Sequence, residues 1–127
     1  MFVAELDRSV AFYREFLRWE VTLHNDSVAL LVGPAGYQLY LRAMGTRAQH
    51  PEGNIGVQYL IWTAADEDDL DRCERVLRTH SAQVFRRAAE GFSLVEGLGP
   101  DDVAVMVTYP GPAQAPRHEI LQRIYRW

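Results

Sequence analysis

The feature that most constrains this chain is a phrase it uses twice. Leu6 to Val21 reads LDRSVAFYREFLRWEV, and Leu70 to Phe85 reads LDRCERVLRTHSAQVF, a spacing of 64 residues from 6 to 70. Each is an amphipathic helix running into a strand. A second landmark repeats at nearly the same interval. Gly33-Pro34 precedes an apolar segment from Tyr37, and Gly99-Pro100 precedes another from Val103, 66 residues on from 33 to 99. Two landmarks at almost one offset mark a duplicated module. Two copies are too few for a solenoid, so the reading is α+β: two tandem β-α-β-β-β modules whose mixed sheets curl into a cup.

In chain order, Phe2 to Glu5 is a short strand, and Asp7 or Ser9 caps the first helix. Val10, Phe12, Tyr13, Phe16 and Leu17 recur at helical spacing as a broad apolar face. Trp19 to Leu23 alternates as a half-buried strand does. His24-Asn25-Asp26 turns, Val28 to Val32 is a continuous apolar strand, and Gly33 to Gly36 turns again into a strand over Tyr37 to Ala43. Residues 1–44 thus form the first module, and 45–54 an ordered linker. The second module, 55–110, opens with a strand over Ile55 to Thr63. Asp66, Glu67, Asp68 and Asp69 then start a helix that Arg72, Arg75, Arg78 and His80 finish, a polarity that suits the helix dipole. That acidic run lacks the glycine and downstream glutamate of a calcium loop. Leu70, Cys73, Val76 and Leu77 are its apolar face. Gln83 to Phe85 reads as a short strand, Arg86 to Gly91 as a loop, Phe92 to Glu96 and Val103 to Tyr109 as strands. Residues 111–127 are a proline-rich break and an amphipathic tail with Ile120, Leu121, Ile124 and Tyr125 on one face. This tail docks either on its own domain or on a second subunit.

Composition narrows the function. The net charge of −4 argues against nucleic acid as a partner. No apolar run is long enough for a membrane span, and no secretory leader is visible, so the expected compartment is the cytoplasm. Cys73 is the single cysteine, which rules out an internal disulfide. On the buried face of a helix it reads as packing, not as a nucleophile. All 13 basic residues are Arg, so no lysine Schiff base or phosphate-loop lysine exists. His24, His50, His80 and His118 have no spacing suited to a shared metal.

The helix phrase with Ser9, Phe12 and Tyr13, the strand after it and the GPAG turn resemble the vicinal oxygen chelate superfamily, over roughly residues 1–109. That superfamily includes glyoxalase I, extradiol dioxygenases, fosfomycin-resistance enzymes and bleomycin-binding proteins. Its catalytic members hold a divalent metal with His, Gln or Glu side chains on the concave face. Carried over by resemblance, the first ligand position falls before Met1. The second lands on Tyr40, the third on Tyr59 or, one residue back, on Gln58, and the fourth on Met106. Tyr, Tyr and Met are not a usual set for Zn, Fe, Mn or Ni. The resemblance therefore implies the fold without its usual metal site.

Alternation sets the facing of two strands. Leu60, Trp62 and Ala64 are expected to face a helix, leaving Tyr59, Ile61 and Thr63 in the cup. Val103, Val105 and Val107 do the same on the last strand, leaving Ala104, Met106 and Thr108 inside. Tyr40, Tyr59, Met106 and Trp62 either line an apolar pocket or fill the space between sheets. Arg42 points the same way as Tyr40, as an anion anchor or as a solvated rim residue. The expected site is thus a ligand-binding pocket of Tyr40, Arg42, Tyr59, Ile61, Thr63, Met106 and Thr108. No catalytic residue, metal or cofactor is expected. The expected function is metal-free binding of an apolar or aromatic small molecule, as in bleomycin-resistance-like sequestration, by a homodimer. The alternative is a glyoxalase-like, metal-dependent lyase or isomerase, or a dioxygenase, with misregistered or missing ligands.

Overall fold

The computed structural model describes residues 1–45, 56–89, 91–114 and 120. The chain divides into two compact units, Met1–His50 and Pro51–Trp127. Apart from Gly45, the expected linker lies outside the described residues.

The first unit runs β1 (Phe2–Val3), α1 (Leu6–Leu17), β2 (Glu20–His24), β3 (Val28–Val32), a 3-10 turn (Pro34–Gly36) and β4 (Gln38–Ala43). Its sheet has the order β1-β4-β3-β2, with β1 parallel to β4 and the other pairs antiparallel. Helix α1 buries Leu6, Val10, Phe12, Tyr13 and Phe16. Phe12 stacks on Phe16 and meets Tyr13 edge-on, with centroids 5.1 and 5.0 Å apart. Each such ring contributes about 1.5–3 kcal/mol by leaving water. The helix packs on the sheet face that carries the buried residues Val3, Ala29, Leu31 and Leu41.

Two local expectations are corrected here. The N-cap is Glu5, with no side-chain cap bond, so neither Asp7 nor Ser9 serves. Ser9 is buried inside the helix, and Asp7 instead meets His24 at 2.9 Å. His24 is accordingly the last residue of β2 and not part of the turn. The turn is closed by Asn25, whose Oδ1 accepts from the backbone of Ser27 and Val28, both at 3.0 Å. Strand β2 is exposed at four of its five positions, and its register shifts between Val21 and Leu23. The alternation seen in the sequence is real, but an edge strand with a bulge is not half-buried.

The second unit runs β5 (Tyr59–Thr63), α2 (Glu67–His80), β6 (Phe85–Ala89), β7 (Phe92–Leu98) and β8 (Ala104–Tyr109). Its sheet has the order β5-β8-β7-β6, with β5 parallel to β8, the same plan as the first. Neither sheet closes on itself. In α2 the Asp66 side chain accepts from Asp69 N at 2.7 Å, and the Asp69 carboxylate accepts from Ala65 N at 3.1 Å. The two aspartates thus secure the helix start much as a capping box does, with the second carboxylate taking the amide one residue before the N-cap. The buried face is Leu70, Cys73, Val76 and Leu77, as the spacing predicts.

Arg86 to Ala89, expected as a loop, is strand β6. Arg86 explains the error. It reaches back to Asp71, Glu74 and Glu67 of α2, so its charge is compensated inside the unit. Among the described residues no helix is long and apolar enough to cross a membrane. The tail residues Leu121, Ile124 and Tyr125 lie outside the described residues. Ile120 is helical and buried.

The duplication extends to single hydrogen bonds. Gly33 N donates to Tyr37 O at 2.8 Å, and Gly99 N to Val103 O at 2.9 Å. Gly36 N donates to Gly33 O at 3.3 Å, and Asp102 N to Gly99 O at 3.2 Å. Gly36 and Asp102 both have positive φ, 79° and 58°.

Candidate ligand-binding faces

In each sheet one face is covered by a helix, so chemistry has to be sought on the other. Directly paired residues share a face, and the pairing assigns each one. In the first sheet Tyr40 lies opposite Leu30, and Leu30 opposite Leu23. Arg42 lies between Val28 and Phe2. Gln38 pairs with Val32, and Val32 with Glu20. None of these side chains is buried. Phe2 is 65% exposed and Tyr40 59%. This face is an open surface of aromatic and aliphatic groups that also carries the Arg42 guanidinium, the Gln38 amide and the Glu20 carboxylate. Tyr40 and Arg42 sit on it together because they are two apart on one strand.

In the second sheet Tyr59, Ile61 and Thr63 pair with Ala104, Met106 and Thr108. Met106 and Thr108 pair in turn with Glu96 and Leu94, and Phe92 continues that face along β7. Trp62 pairs directly with Val107 and lies with Leu60 on the opposite face. It is therefore not one of the residues beside Tyr59. Thr108 donates its hydroxyl to Trp62 O at 3.3 Å and is fully buried, so its polarity is spent within the sheet.

The two faces differ in cover. Ile61 and Thr63 are exposed and Tyr59 is half-buried. Met106 has no exposed surface. It belongs to an apolar cluster with Phe92, Leu94 and Ile120, against which Tyr59 and Ala89 pack. Of the tail, Ile120 packs against its own unit. Phe92, Leu94, Phe2, Leu23 and Leu30 were missed as face residues. The signal was present in the turn lengths, since a hairpin that pairs Val32 with Gln38 also pairs Leu30 with Tyr40.

Met106 lies in an apolar cluster with Glu96 as its partner on β7, and Tyr40 lies opposite Leu30 on β3. Among the described residues no three His, Cys, Asp or Glu side chains converge as a metal site requires. On the helix side two groups are shifted from their ordinary titration. Burial opposes ionisation of Glu74, but hydrogen bonds from Arg78 and Arg86 and their charges outweigh it and hold its carboxyl below the usual range. The bonds to Asp71 and Glu74 raise Arg86 against the opposing effect of burial. These groups fasten β6 to α2 on the helix-covered side of their own sheet.

No protein-family model matches this sequence, and no match is found among curated proteins. Solved structures do match. A glyoxylase/bleomycin resistance protein/dioxygenase domain from Frankia sp. EAN1pec is 24% identical, with a TM-score of 0.71 over 84% of each chain. Lactoylglutathione lyase from Agrobacterium tumefaciens is 20% identical, with a TM-score of 0.59 over 85% of this chain and 87% of its own. The oxidase ChaP-H2 is 15% identical, with a TM-score of 0.66 over 87% of this chain and 89% of its own. Proteins bearing such different names share the architecture, which is why the fold alone does not assign an activity. The repeated β-α-β-β-β plan and these likenesses together give the chain the glyoxalase/bleomycin resistance/dioxygenase fold.

Proposed function

We propose that this chain binds an apolar or aromatic small molecule without transforming it and without a metal, in the manner of bleomycin-resistance-like sequestration, and that it acts in the cytoplasm. The observation that carries the reading is the open face of the first sheet. There Tyr40, Phe2, Leu23 and Leu30 offer ring and aliphatic surface beside the Arg42 guanidinium. Flat organic ligands are held by such surfaces, with one or two polar groups fixing orientation. Within the second unit, Tyr59, Ile61 and Thr63 offer a candidate surface of their own.

The test begins with a thermal-shift screen of aromatic and glycopeptide ligands, followed by titration of any hit into wild type, Tyr40→Ala and Arg42→Ala. Loss of the ring is expected to weaken binding by about 1–3 kcal/mol, and loss of the guanidinium to weaken anionic ligands selectively. Wild-type affinity in both variants overturns the reading. The second reading is a metal-dependent lyase, isomerase or dioxygenase, favoured by the lyase and the oxidase among the similar structures. Elemental analysis after dialysis against Zn, Mn, Fe(II) and Ni separates the two. A stoichiometric metal removes the sequestration reading.

A further inference from the structure

The open face of the first sheet has two unlike ends. Its register sets the side chains out in rows. Arg42 lies between Phe2 of β1 and Val28 of β3. Tyr40, Leu30 and Leu23 form the next row, and Gln38, Val32 and Glu20 the third. Val28 and Val32 are four residues apart on β3, about 13 Å of strand. The Arg42 cation and the Glu20 carboxylate therefore stand at opposite ends, with apolar groups between them. Among the described residues the Arg42 guanidinium has no hydrogen bond and no ion pair. Arg72, Arg78 and Arg86, in the second unit, each hold a carboxylate. The neighbours of Arg42 on its face are instead Phe2, Val28 and Tyr40.

We propose that the ligand of this face is an aromatic monoanion, with its acid group on Arg42, its ring over Tyr40 and Leu30, and a second acid group barred by Glu20 at the far end. The inference rests on the sequestration reading and names its ligand class. A guanidinium takes a carboxylate through two parallel N–H donors, which fixes the ligand's orientation as well as its charge. Tyr40 and Phe2, 59% and 65% exposed, offer ring surface beside that anion, and Leu30 and Leu23 continue the surface across the sheet. A ligand lying on this surface also removes water from around the guanidinium, which strengthens the pair. A neutral aromatic molecule gains the ring contacts but leaves Arg42 covered and unpaired, so it binds less tightly. A diacid meets Arg42 at one end and Glu20 at the other, where like charges oppose it. Gln38, in the same row as Glu20, is neutral and does not offset that charge.

Three naphthalene probes of similar shape are titrated by fluorescence into the full-length protein: 2-naphthoate, its neutral methyl ester and 2,6-naphthalenedicarboxylate. Wild type is expected to bind 2-naphthoate about fivefold more tightly than the ester, and about threefold more tightly than the dicarboxylate. Arg42→Gln keeps the apolar stem and loses the charge. It is expected to abolish the preference for the acid and leave affinity for the ester unchanged. Glu20→Gln is expected to remove the penalty on the dicarboxylate. An ester or a dicarboxylate bound by wild type as tightly as 2-naphthoate overturns the proposal. So does failure of 2-naphthoate to bind, or a preference for the acid that survives in Arg42→Gln. The three probes on wild type decide the matter even where a variant does not fold. Ester binding that weakens in Tyr40→Ala, with no preference for the acid in wild type, removes the anion class and leaves sequestration standing, so the two failures are distinct.

Discussion

Gly33 shows how one position joins two elements. A Cβ there would stand 2.2 Å from Cε2 of Trp19, so the indole occupies the place of the missing side chain. Gly33→Ala is expected to destabilise the protein by about 1–3 kcal/mol, because either the indole or the turn must shift. Urea unfolding measures it, and a change within error would mean that Trp19 rotates away freely. The glycine-proline pair announced a turn in the sequence, and the turn is there. Its contact with Trp19 was not legible, because nothing in linear order ties a helix exit to the end of β3. The same limit applied to Asp7 and Ser9. Both are good cap types, yet the helix starts at Leu6 because burying Leu6 outweighs a side-chain cap.

Strand β6 shows the same at the level of elements. Phe85 to Ala89 carries two adjacent arginines and no apolar alternation, so local pattern reads it as loop. It is a strand because β7 pairs with it along its length and α2 compensates Arg86. Glu74 sits at the centre of that attachment, taking Arg78 at 2.6 Å and Arg86 at 3.0 Å. Its carboxyl is lowered on folding from an ordinary value of 4.5. A group lowered on folding contributes stability that is complete above the unfolded value and disappears as pH falls through the folded one. Unfolding free energy, measured by urea titration from about pH 6 to about pH 3, should therefore fall less steeply in Glu74→Gln than in wild type. Equal slopes would mean that the attachment contributes nothing. Helix α2 itself was fully legible, since its acidic start, basic finish and apolar face at Leu70, Cys73, Val76 and Leu77 are all local.

For the whole molecule, an association prediction follows from the edges. Strand β1 has two residues, and β2 is an exposed edge in a sheet whose open face carries Phe2, Leu23 and Tyr40. Unpaired edges and apolar faces are what a second copy covers. A homodimer is expected by light scattering at micromolar concentration, and a monomer under those conditions removes the expectation. Periodicity and the 64- and 66-residue offsets were enough to assign the two modules, their helices and the faces of β5 and β8, because these depend on near neighbours and on a pattern stated twice. Whether a given face is open or covered was not contained in those patterns. Tyr40 and Met106 occupy matching places, and their difference in exposure arises from packing with residues remote in sequence, Ile120 at the second site among them. Cover is a property of three-dimensional neighbours, and a strand's alternation specifies only which way a side chain points, not what it meets there.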